Sequence, residues 1–285
     1  MKKSYFILFF FFSLLFSASP QNWQEKRGEH FIVYFTSSSK EDFLKEVLDK
    51  AERYYQEIAL ALGYPRYKEF WLWDKRVKIY IYPDRESFLK ATGQPSWSHG
   101  VAEYNTKKIS SFLGSKDFLE SVLPHEIAHL IFRDFVGFKG QIPLWLDEGV
   151  AQWSEKKKRE ETRKLIKSLY EQDILLTIDD LMYFDVRTLP EKEGVIVRPT
   201  YTKEGKKGVV FLSKDNFITT YYLQSVSLVD FLISKYGTNR FTDFCRNLRD
   251  GKNIEDALRN TYSGYIHNLK DLEARWRKYL EETSP

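Results

Sequence analysis

The residues in this chain best placed to do chemistry are His125, Glu126 and His129. They lie in the run Leu123-Pro124-His125-Glu126-Ile127-Ala128-His129-Leu130-Ile131-Phe132. Residues four apart on a helix leave the same face one turn apart, so both imidazoles can reach one ion. Glu126 falls on an adjacent face, where its carboxylate can sit beside a water held by that ion. Two imidazoles plus a neighbouring carboxylate suit zinc and hydrolytic chemistry. The apolar residues 127, 128, 130, 131 and 132 predict a buried helix. Two imidazoles buried there without an ion or hydrogen bonds would be costly.

A third ligand follows in Trp145-Leu146-Asp147-Glu148-Gly149-Val150-Ala151. Eighteen residues separate His129 from Glu148. Phe132 and Phe135 occupy the positions where a metzincin would carry Gly and His, which excludes that ligand set. His125, His129 and Glu148 would leave a fourth position open for water, the pattern of a catalytic zinc site rather than a structural one.

These ligands need two helices to position them. Ser121 as N-cap would put Pro124 at N3, where its missing N–H costs nothing; a longer helix from about Ser115, kinked at the proline, is the alternative. Pro143 fits N1 of the second helix, and Gly149 would let that helix approach the first closely. Glu155, seven residues beyond Glu148, falls two turns along the same face and could orient an imidazole. The rest of the charge run Glu155-Lys156-Lys157-Lys158-Arg159-Glu160 reads as a solvated helix face.

His-Glu-Ile-Ala-His followed after eighteen residues by Glu in Trp-Leu-Asp-Glu-Gly resembles the gluzincin metallopeptidases. The broad match is to the thermolysin and aminopeptidase N type, and the closer one is to bacterial peptidase MA-like domains, from about His30 to Trp276. The resemblance implies an α+β, zincin-like fold. A mixed β-sheet with helices would form an N-terminal lobe over 28–140, a mostly helical lobe would cover 141–285, and the active cleft would lie between them. It implies one Zn2+, a peptide or protein substrate, and Glu126 as general base. In such enzymes a strand upstream of the zinc helix is a sheet edge that pairs with extended substrate, and Gly100, Val101, Ala102 and Glu103 occupy a comparable place. The Gly and Glu of this stretch also match part of the aminopeptidase motif Gly-Ala-Met-Glu-Asn, whose Glu holds a substrate amino terminus. The run Tyr221-Tyr222-Leu223-Gln224-Ser225 resembles the helix that supplies a tyrosine to the oxyanion. Tyr222 aligns best and Tyr221 second, with both as core aromatics the alternative.

Composition sets the surroundings. The chain has 285 residues, 42% hydrophobic, with 22 Phe, 18 Tyr and 7 Trp, enough for a sizeable core. Lys2-Lys3, the apolar run Tyr5 to Phe16 and Ser17-Ala18-Ser19 read as a secretory signal peptide over 1–19, with an uncleaved membrane anchor the alternative. Without that segment 42 basic residues face 40 acidic ones, too balanced to favour nucleic acid. The remaining 20–285 is expected to be a secreted, periplasmic or cell-envelope domain, with nothing to fix its oligomeric state. Cys245 is alone and reads as a core residue. Three functions fit: an exported endopeptidase, an envelope module that keeps zinc without turnover, and an aminopeptidase resting on Glu103.

The remaining elements follow from patterning. Glu29 to Phe35 reads as the first strand of a sheet, followed by a helix that begins near Ser39 and closes at Gly63. A strand over Val77 to Tyr82, a short helix over Glu86 to Thr92 and a strand pair around Asn105-Thr106 come next. A hairpin spans Val195 to Ser213, and a helix spans Ile218 to Tyr236. Short helices joined at Gly251 and Gly264 complete the chain. His30 and His99 read as packing or surface residues.

Overall fold

The computed structural model describes residues 22–36, 41–64, 70–96, 98–137, 142–189 and 194–283. The expected signal segment, the Ser39 helix start and the connector Phe138-Lys139-Gly140 lie outside them.

A five-stranded mixed sheet comes first. It contains β1 (Gln24–Arg27), β2 (Phe31–Phe35), β3 (Val77–Tyr82), β4 (Gly100–Glu103) and β5 (Lys108–Phe112), in the order β1-β2-β3-β5-β4. The three central strands β2, β3 and β5 run parallel; β1 and β4 close the edges antiparallel. The strand read from sequence as the first is therefore the second. Gln24-Glu25-Lys26-Arg27 has no apolar residue to reveal it, and backbone pairing to β2 makes it an edge strand. Helix α1 (Glu41–Ala61) buries Leu44, Val47, Leu48, Ala51, Tyr54, Tyr55 and Ile58, a three-and-four spacing that lays one stripe on β2 and α3. A short α2 (Arg85–Thr92) packs beside β5.

The chain then becomes mostly helical. Helices α3 (Leu123–Val136), α4 (Leu144–Ser154), α5 (Lys156–Glu171) and α6 (Ile178–Tyr183) precede a hairpin of β6 (Val195–Tyr201) and β7 (Lys207–Ser213). After it come α7 (Lys214–Tyr236), α8 (Thr238–Arg249), α9 (Ile254–Thr261) and α10 (Leu269–Glu282). Sheet and helices share one core, with Trp71, Trp145 and Trp276 fully buried. The architecture is α+β: a mixed sheet with helices, then helices.

Four local expectations are corrected. Ser121 does not cap α3; a π-helical turn over Phe118–Val122 runs straight into it, leaving Pro124 in the first turn of α3. Pro143 is the N-cap of α4 rather than N1, its carbonyl accepting from the Leu146 and Asp147 N–H groups. Gly149 serves α7 rather than α3. A Cβ there would stand 2.7 Å from the Ser225 carbonyl oxygen and 2.9 Å from Val229 Cγ2. Helix α7 begins at Lys214, capped by Ser213, so Tyr221 and Tyr222 lie about two turns inside it rather than at its start.

Candidate metal centre

Helix α3 is buried along Ile127, Ala128, Leu130, Ile131 and Phe132, and its one polar stripe carries the histidines. His125 Nε2 and His129 Nε2 face each other at 3.1 Å. From α4, Glu148 brings Oε2 to 3.9 Å from His125 Nε2 and Oε1 to 3.9 Å from His129 Nε2. All three ligand atoms lie within 4.8 Å of one another.

The other side of each imidazole is equally defined. His129 Nδ1 stands 3.0 Å from Asp147 Oδ1, and His125 Nδ1 stands 2.9 Å from Glu155 Oε1. An ionised carboxylate only accepts, so each Nδ1 carries a proton, and with both rings neutral each Nε2 presents a lone pair. Two lone pairs facing at this distance repel unless a positive charge lies between them. Zinc–nitrogen bonds of about 2.0–2.1 Å in a tetrahedron put two imidazole nitrogens about 3.3 Å apart, close to the observed spacing. Glu148 would have to bring one of its oxygens closer to both imidazoles, within the reach of a carboxylate side chain. The donor set thus fits zinc.

Electrostatics agree. Burial of His129 disfavours its charged form, but Asp147, then Glu148 and Glu126, outweigh it and raise its pKa to about 9. In the metal-free chain this pocket would draw a proton. Asp147 is buried, which alone would raise its pKa; His129 and Arg133 reverse this and hold it far below the carboxylate range. Burial likewise opposes ionisation of Glu155, and His125, Lys158 and Ser121 lower its pKa in net. Glu155 reaches His125 from the extended joint between α4 and α5, not from the face of α4 that carries Glu148. Ser121, from the π-helical turn, donates to its second oxygen.

Glu126 is half-buried beside this cluster. Tyr222 is half-buried too; its pKa is pushed up to about 12 by burial first and then by Glu148, with Arg187 opposing. Tyr221 is fully buried, and its hydroxyl has no hydrogen-bond partner among the described residues. Its side chain is a core aromatic.

Strand β4 is one of the two edges of the sheet among the described residues and packs against α3. Gly100 permits this approach, since a Cβ there would meet Val122 Cγ1 at 2.5 Å. Val101 and Ala102 are half-buried on the same strand. Glu103 is exposed and engaged locally, 3.0 Å from Lys108 Nζ and 3.2 Å from Thr106 Oγ1. Asp134, in the last turn of α3, accepts from Tyr104 at 2.8 Å and Lys107 at 2.6 Å, tying the β4–β5 turn to α3. His30 lies apart, bonded to Glu52 and stacked on Tyr55, and His99 stacks on Phe112.

Sequence reasoning missed Asp147, Arg133 and Asp134. The available signal was the His129/Arg133 pair at i,i+4 on α3, which presents two partners to one acid on α4.

No protein-family model matches the chain, and no curated protein sequence matches it. Among solved structures, native yeast LTA4 hydrolase is similar with a TM-score of 0.47 and 14% identity. That similarity covers 92% of this chain and 39% of the hydrolase, so the chain spans about two fifths of that protein's length.

Proposed function

We propose that this chain is a zinc-dependent metallopeptidase of the gluzincin type that cleaves inside peptide chains. One observation carries the reading: both imidazoles have Nδ1 held by a carboxylate while their Nε2 atoms converge with Glu148. His125, His129 and Glu148 would hold the ion. Zinc bound there supplies Lewis acidity, which polarises a carbonyl and makes water a usable nucleophile near neutral pH.

The chain's own residues do the rest. Glu126 takes the proton of the attacking water on its carboxylate and delivers it to the leaving amine nitrogen. Tyr222 donates from Oη to the oxygen on which negative charge grows, an interaction stronger in the transition state than before it. Asp147 and Glu155 keep the Nδ1 protons in place, so both Nε2 atoms remain ligands. The β4 edge, with no strand beyond it among the described residues, would offer its backbone to an extended substrate strand.

A metal module without turnover has no use for a carboxylate at Glu126. An aminopeptidase needs Glu103 free, and Lys108 and Thr106 engage it. Export rests on Met1 to Ser19 alone. The alternative is that the same segment stays as an anchor; among the described residues no helix is long and apolar enough to cross a membrane.

The test is digestion of a mixed peptide library by zinc-loaded wild type and Glu126→Gln, with cut sites mapped by mass spectrometry. Internal cuts by wild type only are expected. Stepwise trimming from the amino terminus would indicate the aminopeptidase, and no cuts by zinc-loaded protein would leave the module.

A further inference from the structure

The β6–β7 hairpin has two faces of opposite character. Register pairs Val197 with Phe211, Pro199 with Val209 and Thr200 with Gly208. Alternation then puts Val210, Leu212 and Thr200 on the inner face, all buried. The outer face carries Val195, Val197, Pro199, Val209 and Phe211. Four of these are 51–69% exposed: Val195 68%, Val197 51%, Val209 58% and Phe211 69%. A scattered exposed apolar residue is ordinary, but contiguous valines and a phenylalanine across two paired strands form a patch that marks an interaction surface.

Charge selects the partner. Between Val195 and Lys214 the basic residues are Arg198, Lys203, Lys206, Lys207 and Lys214, and the one acid is Glu204. This short stretch therefore has the same net charge, +4, as the whole chain. Lys207 shares the outer face with Val209 and Phe211, while Lys203 and Lys206 sit in the turn beyond it, all exposed. Arg198 points inward, over the Phe184 ring and 3.7 Å from Asp180. The turn is held rigid: Gly205 takes φ +77°, Thr202 N donates to the Lys206 carbonyl, and Lys203 N donates to Asp173.

We propose that this hairpin docks on an anionic lipid bilayer, with Val195, Val197, Val209 and Phe211 entering the interface and Lys203, Lys206 and Lys207 meeting the headgroups. An apolar face with lysines at its turn end matches both layers of such a surface, the acyl boundary and the negative headgroup plane. A second copy of the chain is the competing occupant, and dependence of the signal on protein concentration separates it from lipid. The inference does not depend on the metal centre. It gives the apolar N-terminal run a companion, so the chain would meet the membrane at two points if that run stays attached.

The test uses the full chain with a bimane label on Val209→Cys. Cys245 is the chain's one native cysteine and is fully buried, so the label goes to the hairpin. A matched label on Lys278→Cys, 72% exposed on α10, reports non-specific contact. Phosphatidylcholine vesicles with and without phosphatidylglycerol are added, and a spin label on the lipid chains serves as quencher. The expected result is a blue shift and quenching at position 209 on the anionic vesicles alone. Lys206→Gln with Lys207→Gln should raise the lipid concentration for half-maximal shift about fivefold per lysine. Vesicle binding with no change at position 209 would overturn the proposal, assigning contact to the N-terminal run. Equal shifts on neutral vesicles would overturn it too, as would a shift that grows with protein concentration in the absence of lipid.

Discussion

Asp147 and Glu148 are consecutive in α4 yet address opposite nitrogens of one imidazole. Asp147 lies 3.0 Å from His129 Nδ1, and Glu148 lies 3.9 Å from His129 Nε2. Neighbouring helical positions differ by about 100° around the axis, so two adjacent acids can straddle a ring that α3 presents edge-on to α4. One acid fixes the tautomer, and in the proposed function the other completes the ligand set.

Asp147→Asn tests the orienting half. The amide keeps the shape but loses the charge that holds the Nδ1 proton, and it leaves Arg133 without its ionic partner. Zinc affinity should fall about 10–100-fold, as it does when such outer partners are removed. Competition against a chelator of known affinity measures it. Unchanged affinity would mean that Asp147 serves only to bind Arg133.

Tyr222→Phe should keep metal content and lower turnover on the order of a hundredfold with KM nearly unchanged, because the lost bond forms mainly in the transition state. Tyr221→Phe removes a buried hydroxyl with no partner among the described residues, so turnover should hold and stability should stay level or rise. The opposite pattern would move the donor to Tyr221.

The pH dependence of Tyr222 has a definite sign. Burial first, then Glu148, raises its folded pKa to about 12. The unfolded phenol titrates near 10, so the folded chain holds this proton more tightly. Its stabilising contribution is complete below about pH 10 and drains as pH rises toward 12. Wild type and Tyr222→Phe should therefore share any alkaline limb of activity below pH 10. A limb that disappears in the variant would show that the phenol ionises earlier.

Gly149→Ala should destabilise the chain by about 1–3 kcal/mol, the usual cost of overpacking. The new methyl would press on the Ser225 backbone, which cannot swing aside as a side-chain tip can. Chemical denaturation measures the change. A neutral result would mean that α4 and α7 separate without cost.

What the sequence revealed, and what it hid, follows from range. The His125/His129 pair is a local fact of helical spacing, and the apolar run around it gave burial directly. Strand β3, the β4–β5 pair and the hairpin were legible because alternation and turn residues are local as well. Strand β1 was not, since its four residues are polar and backbone pairing alone makes them a strand. Helical periodicity singles out Glu155, yet it acts from a break between α4 and α5 that periodicity cannot contain. Gly149 reads from sequence as a close-approach residue, but which helix approaches is decided by how α7 returns 76 residues later to Ser225. Asp147 needed the angle at which α4 crosses α3, a tertiary quantity with no local trace.

The central claim is that His125, His129 and Glu148 together hold one zinc ion. Metal content per chain, measured by inductively coupled plasma mass spectrometry on wild type and His129→Ala purified side by side, tests it most directly. Folding of the variant is checked by circular dichroism. One zinc in the wild type and almost none in a folded His129→Ala is the expected result. Equal zinc in both proteins, or none in either after incubation with the metal, would contradict it.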